Sequence, residues 1–170
     1  MTGRTVTAVA AALISLSGAL LAQTAVAPPP AADGPSLALS LEAAQGTIDA
    51  CARNGYKVAV TVLDSAGVSK VILAADGVGP AAIASSTKKA TTAMRLDMST
   101  IAAVEQAKTD QALAAKIAAD PSLFVHAGGI LLMSAGKVIG AIGASGAPHE
   151  GHQDDICLDA GIAKIKDRLN

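Results

Sequence analysis

Three histidines carry most of the chemistry this sequence offers. His149 and His152 stand three apart in "GAPHEGHQDD", beside Glu150, Asp154 and Asp155. Imidazoles at that spacing can chelate a metal ion if they share a helix face. In a loop they are ordinary polar residues of a solvated turn. His126 stands alone in "LFVHAGG", between apolar Leu123, Phe124 and Val125 and the bare backbone of Gly128 and Gly129. A histidine there is either a hydrogen-bonded core residue or an axial ligand to haem iron in an apolar pocket. His126, His149 and His152 are therefore the candidate metal and cofactor ligands. Lys88 and Lys89, adjacent in "STKKATTA", are candidate ligand contacts. Such lysines usually face solvent, but one reaching a pocket mouth pairs with a carboxylate or a propionate.

Other signatures are missing. The chain has no C-x-x-C-H, H-E-x-x-H, G-x-S-x-G or P-loop sequence. No pair of carboxylates has a spacing that argues acid–base catalysis. Asp64 ends an apolar run before "SAG", and its expected job is to accept from local backbone N–H groups. Gly140, Gly143 and Gly146 do not spell a dinucleotide fingerprint. They read first as close packing of a strand against a helix, and second as bare backbone that a ligand can approach.

These residues must be held by elements that the pattern outlines. "SLEAAQGTIDACARNG" repeats apolar residues at helical spacing, with Ser40 as N-cap and Asn54-Gly55 as the stop. "KVAVTVLD" is a strand apolar at nearly every position, as when both faces are covered. "SAG" turns the chain into the strand "VSKVILAA". Pro80 suits the first position of a helix with Ile83, Thr87, Ala90 and Met94 on one side and the two lysines on others. "TIAAVEQAKTDQALAAKIAA" is one bent helix or two short ones. A second strand–SAG–strand unit spans Ile130 to Ala144. A closing helix presents Ile156 or Leu158, Ile162, Ile165 and Leu169, with Asp154 and Asp155 near its positive end. Tight hairpins impose antiparallel pairing, so the fold class is α+β, an antiparallel sheet with packed helices.

The 170 residues suit one domain. Residues 1–22 read as a secretory signal peptide: Arg4, then an apolar run of small residues, then "LLAQTAVAPPP" with cleavage after Ala22 or Ala27. Residues 23–35 form a Pro- and Ala-rich linker with no core residues to bury. The domain is expected over 36–170, periplasmic or secreted, with no membrane attachment once the signal is removed. A net charge of −1 and well-mixed signs exclude the basic stripe of a nucleic-acid binder. With no Trp, one Tyr and one Phe, stacking platforms for bases are missing too. In an oxidising compartment Cys51 and Cys157 either form a disulfide or stay two small buried residues.

"VAVTVLDSAG", "STKKATTA", "GGILLMSAGKVIGAIGASGAP" and "QDDICLDAG", in this order, resemble the GlcG/HbpS family of haem-binding proteins, which is related to the C-terminal domain of PduO-type proteins. The likeness runs from about Leu39 to Ile165. It implies a profilin-like sheet fold, homo-oligomers, and noncovalent haem binding, with a corrinoid as the less favoured cofactor. It also implies that the first and last helices share a sheet face, which would favour a Cys51–Cys157 bridge. The expectation is an exported haem carrier or sensor. The alternative is an enzyme or accessory protein of small organic acid metabolism, glycolate-type, with the Lys88/Lys89 helix facing an anionic substrate.

Overall fold

The computed structural model describes residues 1, 3, 32–148 and 151–169. The chain divides into two units, Met1–Pro30 and Ala31–Asn170. All the elements below belong to the second. Apart from residues 1 and 3, the expected signal peptide lies outside the described residues.

The elements run α1 (Leu37–Arg53), β1 (Ala59–Asp64), β2 (Ser69–Ala74), α2 (Pro80–Leu96), α3 (Thr100–Ala107), α4 (Gln111–Ala119), β3 (Gly129–Ser134), β4 (Lys137–Ser145) and α5 (His152–Ala163). The four strands form one sheet in the order β2-β1-β4-β3. Every neighbouring pair is antiparallel. Both "SAG" tripeptides make the hairpin turns. Asp64 closes the first by accepting from Ala66 N and Val68 N at 3.0 and 2.9 Å, as expected of it. The second turns on Ala135 and Gly136 alone, with φ of 47° and 78°, the left-handed pair that two-residue hairpins use.

The central strand β1 is buried at all six positions because helices cover both sides. Val60 and Val62 face one side, where α1 and α5 pack with Leu158 and Ile165 in the larger core cluster. Leu63 faces the other, where α2 packs through Ala90 and Ala93. Thr61 also faces α2, and its hydroxyl bonds Ser86 at 2.9 Å and Thr87 at 3.0 Å. Burying one Val or Leu side chain contributes about 1.5–3 kcal/mol, so the apolar run of β1 is the main anchor of the sheet.

Several local expectations need correction. Helix α1 starts earlier than expected: Ser36 is its cap, while Ser40 is buried in the first turn and back-bonds to the Ser36 carbonyl at 2.9 Å. On α2 the buried residues are Ser86, Lys89, Ala90, Thr92, Ala93 and Leu96, a wider face than the expected stripe. Of that stripe Ala90 is buried, Met94 packs on the same cluster and Thr87 bonds Thr61. At the closest approach small residues meet the sheet, because the sheet offers a glycine there. A Cβ on Gly143 would fall 2.7 Å from the Ala90 amide nitrogen and closer still to the Ser86 carbonyl. Gly143 thus lets α2 approach β4, the packing role read from the sequence. Gly143→Ala is expected to cost about 1–3 kcal/mol through overpacking, read as a lower urea midpoint with unchanged slope.

The long helical stretch resolves into the two short helices α3 and α4. Asp110 caps the second, accepting from Ala112 N and Leu113 N, both at 3.0 Å. The closing helix ends at Ala163, short of the expected Ile165 and Leu169; Leu158 on it and Ile165 beyond it are buried, but Ile156 is exposed. The segment read as a free linker is docked by its last residues. Ser65 N donates to Asp33 O at 2.8 Å, Lys137 pairs with Asp33, and Pro35 is buried. Cys51 of α1 and Cys157 of α5 are bridged, with Cα atoms 5.3 Å apart.

Candidate functional site

Four segments meet beyond one end of the sheet: the middle of α2, the loop 124–128, the end of β4 and the first turn of α5. Lys89 comes from α2 and is buried, at 3 % exposure. The sequence places it off the apolar stripe, in solvent or at a pocket mouth. Its aliphatic stem runs through the layer, and Gly128 and Gly151 leave room for its head. Cβ atoms there would lie 2.7 and 3.0 Å from Nζ, and both glycines have positive φ, 112° and 93°. The ammonium donates to Asp154 Oδ2 at 2.7 Å. Asp154, also buried, accepts from Ala147 N through Oδ1 at 3.0 Å. The carboxylate that answers this lysine is the chain's own. Lys88 is exposed and takes no part.

The loop 124–128 is tied from several sides. Phe124 N donates to Thr92 Oγ1 of α2 at 2.9 Å. Gly128 N donates to Asp155 Oδ1 of α5 at 2.8 Å, and Gly128 O accepts from Ala144 N of β4 at 2.8 Å. Just beyond it, Gly129 N donates to Thr100 Oγ1 of α3 at 2.9 Å. This pinned loop carries His126. Its imidazole is exposed rather than a core residue, and stands 4.6 Å from the Phe124 ring, tilted by 36°.

Two small clefts share His126 as a wall. One, of about 190 Å³, is lined by Lys89, Phe124, Ser145, Ala147, Gly151 and Asp154 besides His126. The other, of about 130 Å³, is lined by Ile101, Val104, Val125 and Ala127, with His126 and His152. The fold therefore brings two of the three candidate histidines to one apolar depression and places Lys89 beside it. His149 lies outside the described residues. Among the described residues no group of three or more His, Cys, Asp or Glu is arranged to hold a metal ion.

Asp155 was read from the sequence only as a helix-dipole residue. Its Oδ1 holds Gly128, while Oδ2 is buried without a hydrogen-bond partner among the described residues. Burial pushes its carboxyl up to about 6, with smaller contributions upward from Asp159 and Asp154; the Gly128 N–H and Lys89 pull it down. The sequence signal that could have marked this role is the acid pair itself. One acid would have served the helix terminus, and two adjacent ones reach two different loops.

A family profile described as "Haem degrading protein HbpS-like" matches residues 36–163. The chain belongs to this HbpS-like family. The crystal structure of HbpS is 31% identical, with 79% of this chain and 92% of that chain covered and a TM-score of 0.69. A double mutant of Streptomyces reticuli HbpS is also 31% identical, over 92% of this chain and 98% of the other, with a TM-score of 0.69. The PduOC:heme complex shares the fold at 20% identity, covering 76% and 94% of the two chains, with a TM-score of 0.66. No curated protein is similar enough in sequence to count as a match.

The residues fit a haem at the surface better than an enclosed one. Each cleft is smaller than the roughly 300–1,000 Å³ of pockets that engulf a drug-sized ligand. An exposed imidazole beside Phe124, Val125, Ile101 and Val104 suits a flat apolar group lying across the rim.

Proposed function

We propose that this protein binds haem noncovalently through His126, as an exported carrier or sensor. The observation that carries the reading is the exposed His126 imidazole on a pinned loop, on the wall of an apolar depression that His152 also lines. Family membership and the haem-bound structural neighbour support the ligand class. A bound haem would supply redox-active iron, and the His126 imidazole would be the residue that holds it. The chain's part is to orient that imidazole through the loop's hydrogen bonds and to cover one porphyrin face with Phe124, Val125, Ile101 and Val104. Removal of residues 1–22 as a signal peptide belongs to the same proposal. The Cys51–Cys157 bridge supports it, because such bonds persist in oxidising compartments.

The small-acid alternative loses its main support. Lys88 faces solvent, and the charge of Lys89 is already answered by Asp154.

The test is a hemin titration followed by absorbance, on protein lacking residues 1–22. The wild type should give a shifted Soret band. His126→Ala should weaken binding about tenfold or more, the equivalent of about 1.4 kcal/mol, and change the band position. His152→Ala should have the smaller effect. An unchanged spectrum in both variants would reject the site. Slow loss of the Soret band would bring the haem degradation named in the family description to this chain.

A further inference from the structure

We infer that Asp155 is a positioning residue for the His126 loop, acting through Gly128, and that it makes the hold on that loop depend on pH; the inference rests on His126 being the haem contact. The geometry is specific. Asp155 Oδ1 takes the Gly128 N–H at 2.8 Å, two residues from His126. Its Oδ2 is buried and unpartnered among the described residues. A carboxylate with one satisfied and one stranded oxygen is poised to accept a proton on the stranded one. The groups around it are Lys89 from α2, Asp154 and Asp159 from α5, and the Gly128 N–H from the loop. His152 precedes it on α5, and His126 lies on the loop itself.

The ordinary value of 3.8 rises to about 6 in the folded chain. Between those values the folded state keeps a proton that the unfolded state has released. Stability from this group is therefore full below about pH 4 and is lost as pH rises through about 6. The local effect has the opposite sign. Ionised Asp155 makes a charge-assisted bond to Gly128, roughly twice as strong as the neutral one. Raising the pH through 6 thus tightens the loop while the whole fold loses stability. A residue with a merely structural role would move both in the same direction.

The test needs no haem. Hydrogen exchange at the amides of residues 126–129, corrected for intrinsic rate, and thermal midpoints are followed from pH 4 to 7.5. Asp155→Asn keeps an oxygen for Gly128 but does not titrate. In the wild type, protection at Gly128 should rise several-fold between pH 5 and 7 while the midpoint falls between pH 4 and 6. The variant should show neither trend. The same trends persisting in Asp155→Asn, or flat protection in the wild type, would overturn the inference. If that variant fails to fold, a carbon-detected titration of wild-type Asp155 replaces it. A midpoint near 6, shared by the Gly128 amide, sustains the proposal, and one below about 4.5 ends it. His126→Ala should weaken hemin binding at every pH yet keep the Gly128 trend, so failure of the haem reading is seen separately.

Discussion

Lys89→Met is expected to destabilise the domain by about 3–5 kcal/mol, the usual cost of removing one partner from a buried ion pair. Lys89 and Asp154 have side chains 4 % and 1 % exposed, and their charged atoms meet at 2.7 Å. Without the lysine, Asp154 keeps the Ala147 N–H as its partner among the described residues. Its second oxygen is left in a site that water barely reaches. The double variant Lys89→Met/Asp154→Asn should recover a large part of the loss, because it removes both charges together. Urea denaturation with a common slope is the measurement. A single-variant loss below about 1 kcal/mol would mean that the pair is solvated in solution and that the first turn of α5 moves away from α2.

Replacing both cysteines with alanine should cost about 2–5 kcal/mol. The bridge closes a loop with a sequence separation of 106. For a loop of about 100 residues, the loss of unfolded-state freedom alone is worth about 4.7 kcal/mol. Both sulfurs are buried, at 0 % and 1 % exposure, so a reductant should act at the rate of opening and leave the native fold intact for a time. A fall in the thermal midpoint on the order of 10 °C is expected for the double variant. Equal midpoints for oxidised and cysteine-free protein would show that the packing of α1 on α5 needs no covalent tie.

The element order and pairing were legible because they are local. The two "SAG" turns sit between apolar runs, and tight turns leave only antiparallel pairing. The full burial of β1 was legible for a similar reason, since a run with no polar alternation needs cover on both faces. The face of α2 was legible only in part, because large side chains weigh most in an apolar pattern. Here the contact is set by Ala90, Ala93 and Gly143, which let backbones meet. The partner of Lys89 was out of reach of any pattern, being 65 residues away. The same holds for the tie from Asp155 to Gly128 across 27 residues. His126 and His152 each stand out in the sequence by type and neighbours. Only the fold could show that they line one depression.

The bridge between α1 and α5 has a mechanical consequence. Tension applied to the two ends of the domain would pass from residue 51 to residue 157 through the sulfurs. The whole sheet, both hairpins and the His126 loop lie inside that span and would carry none of the load. A surface that tugs on either terminus would draw on α1 up to residue 50 and on the chain beyond residue 157, while residues 51–157, with the rim that His126 and His152 line, stay closed by the covalent tie.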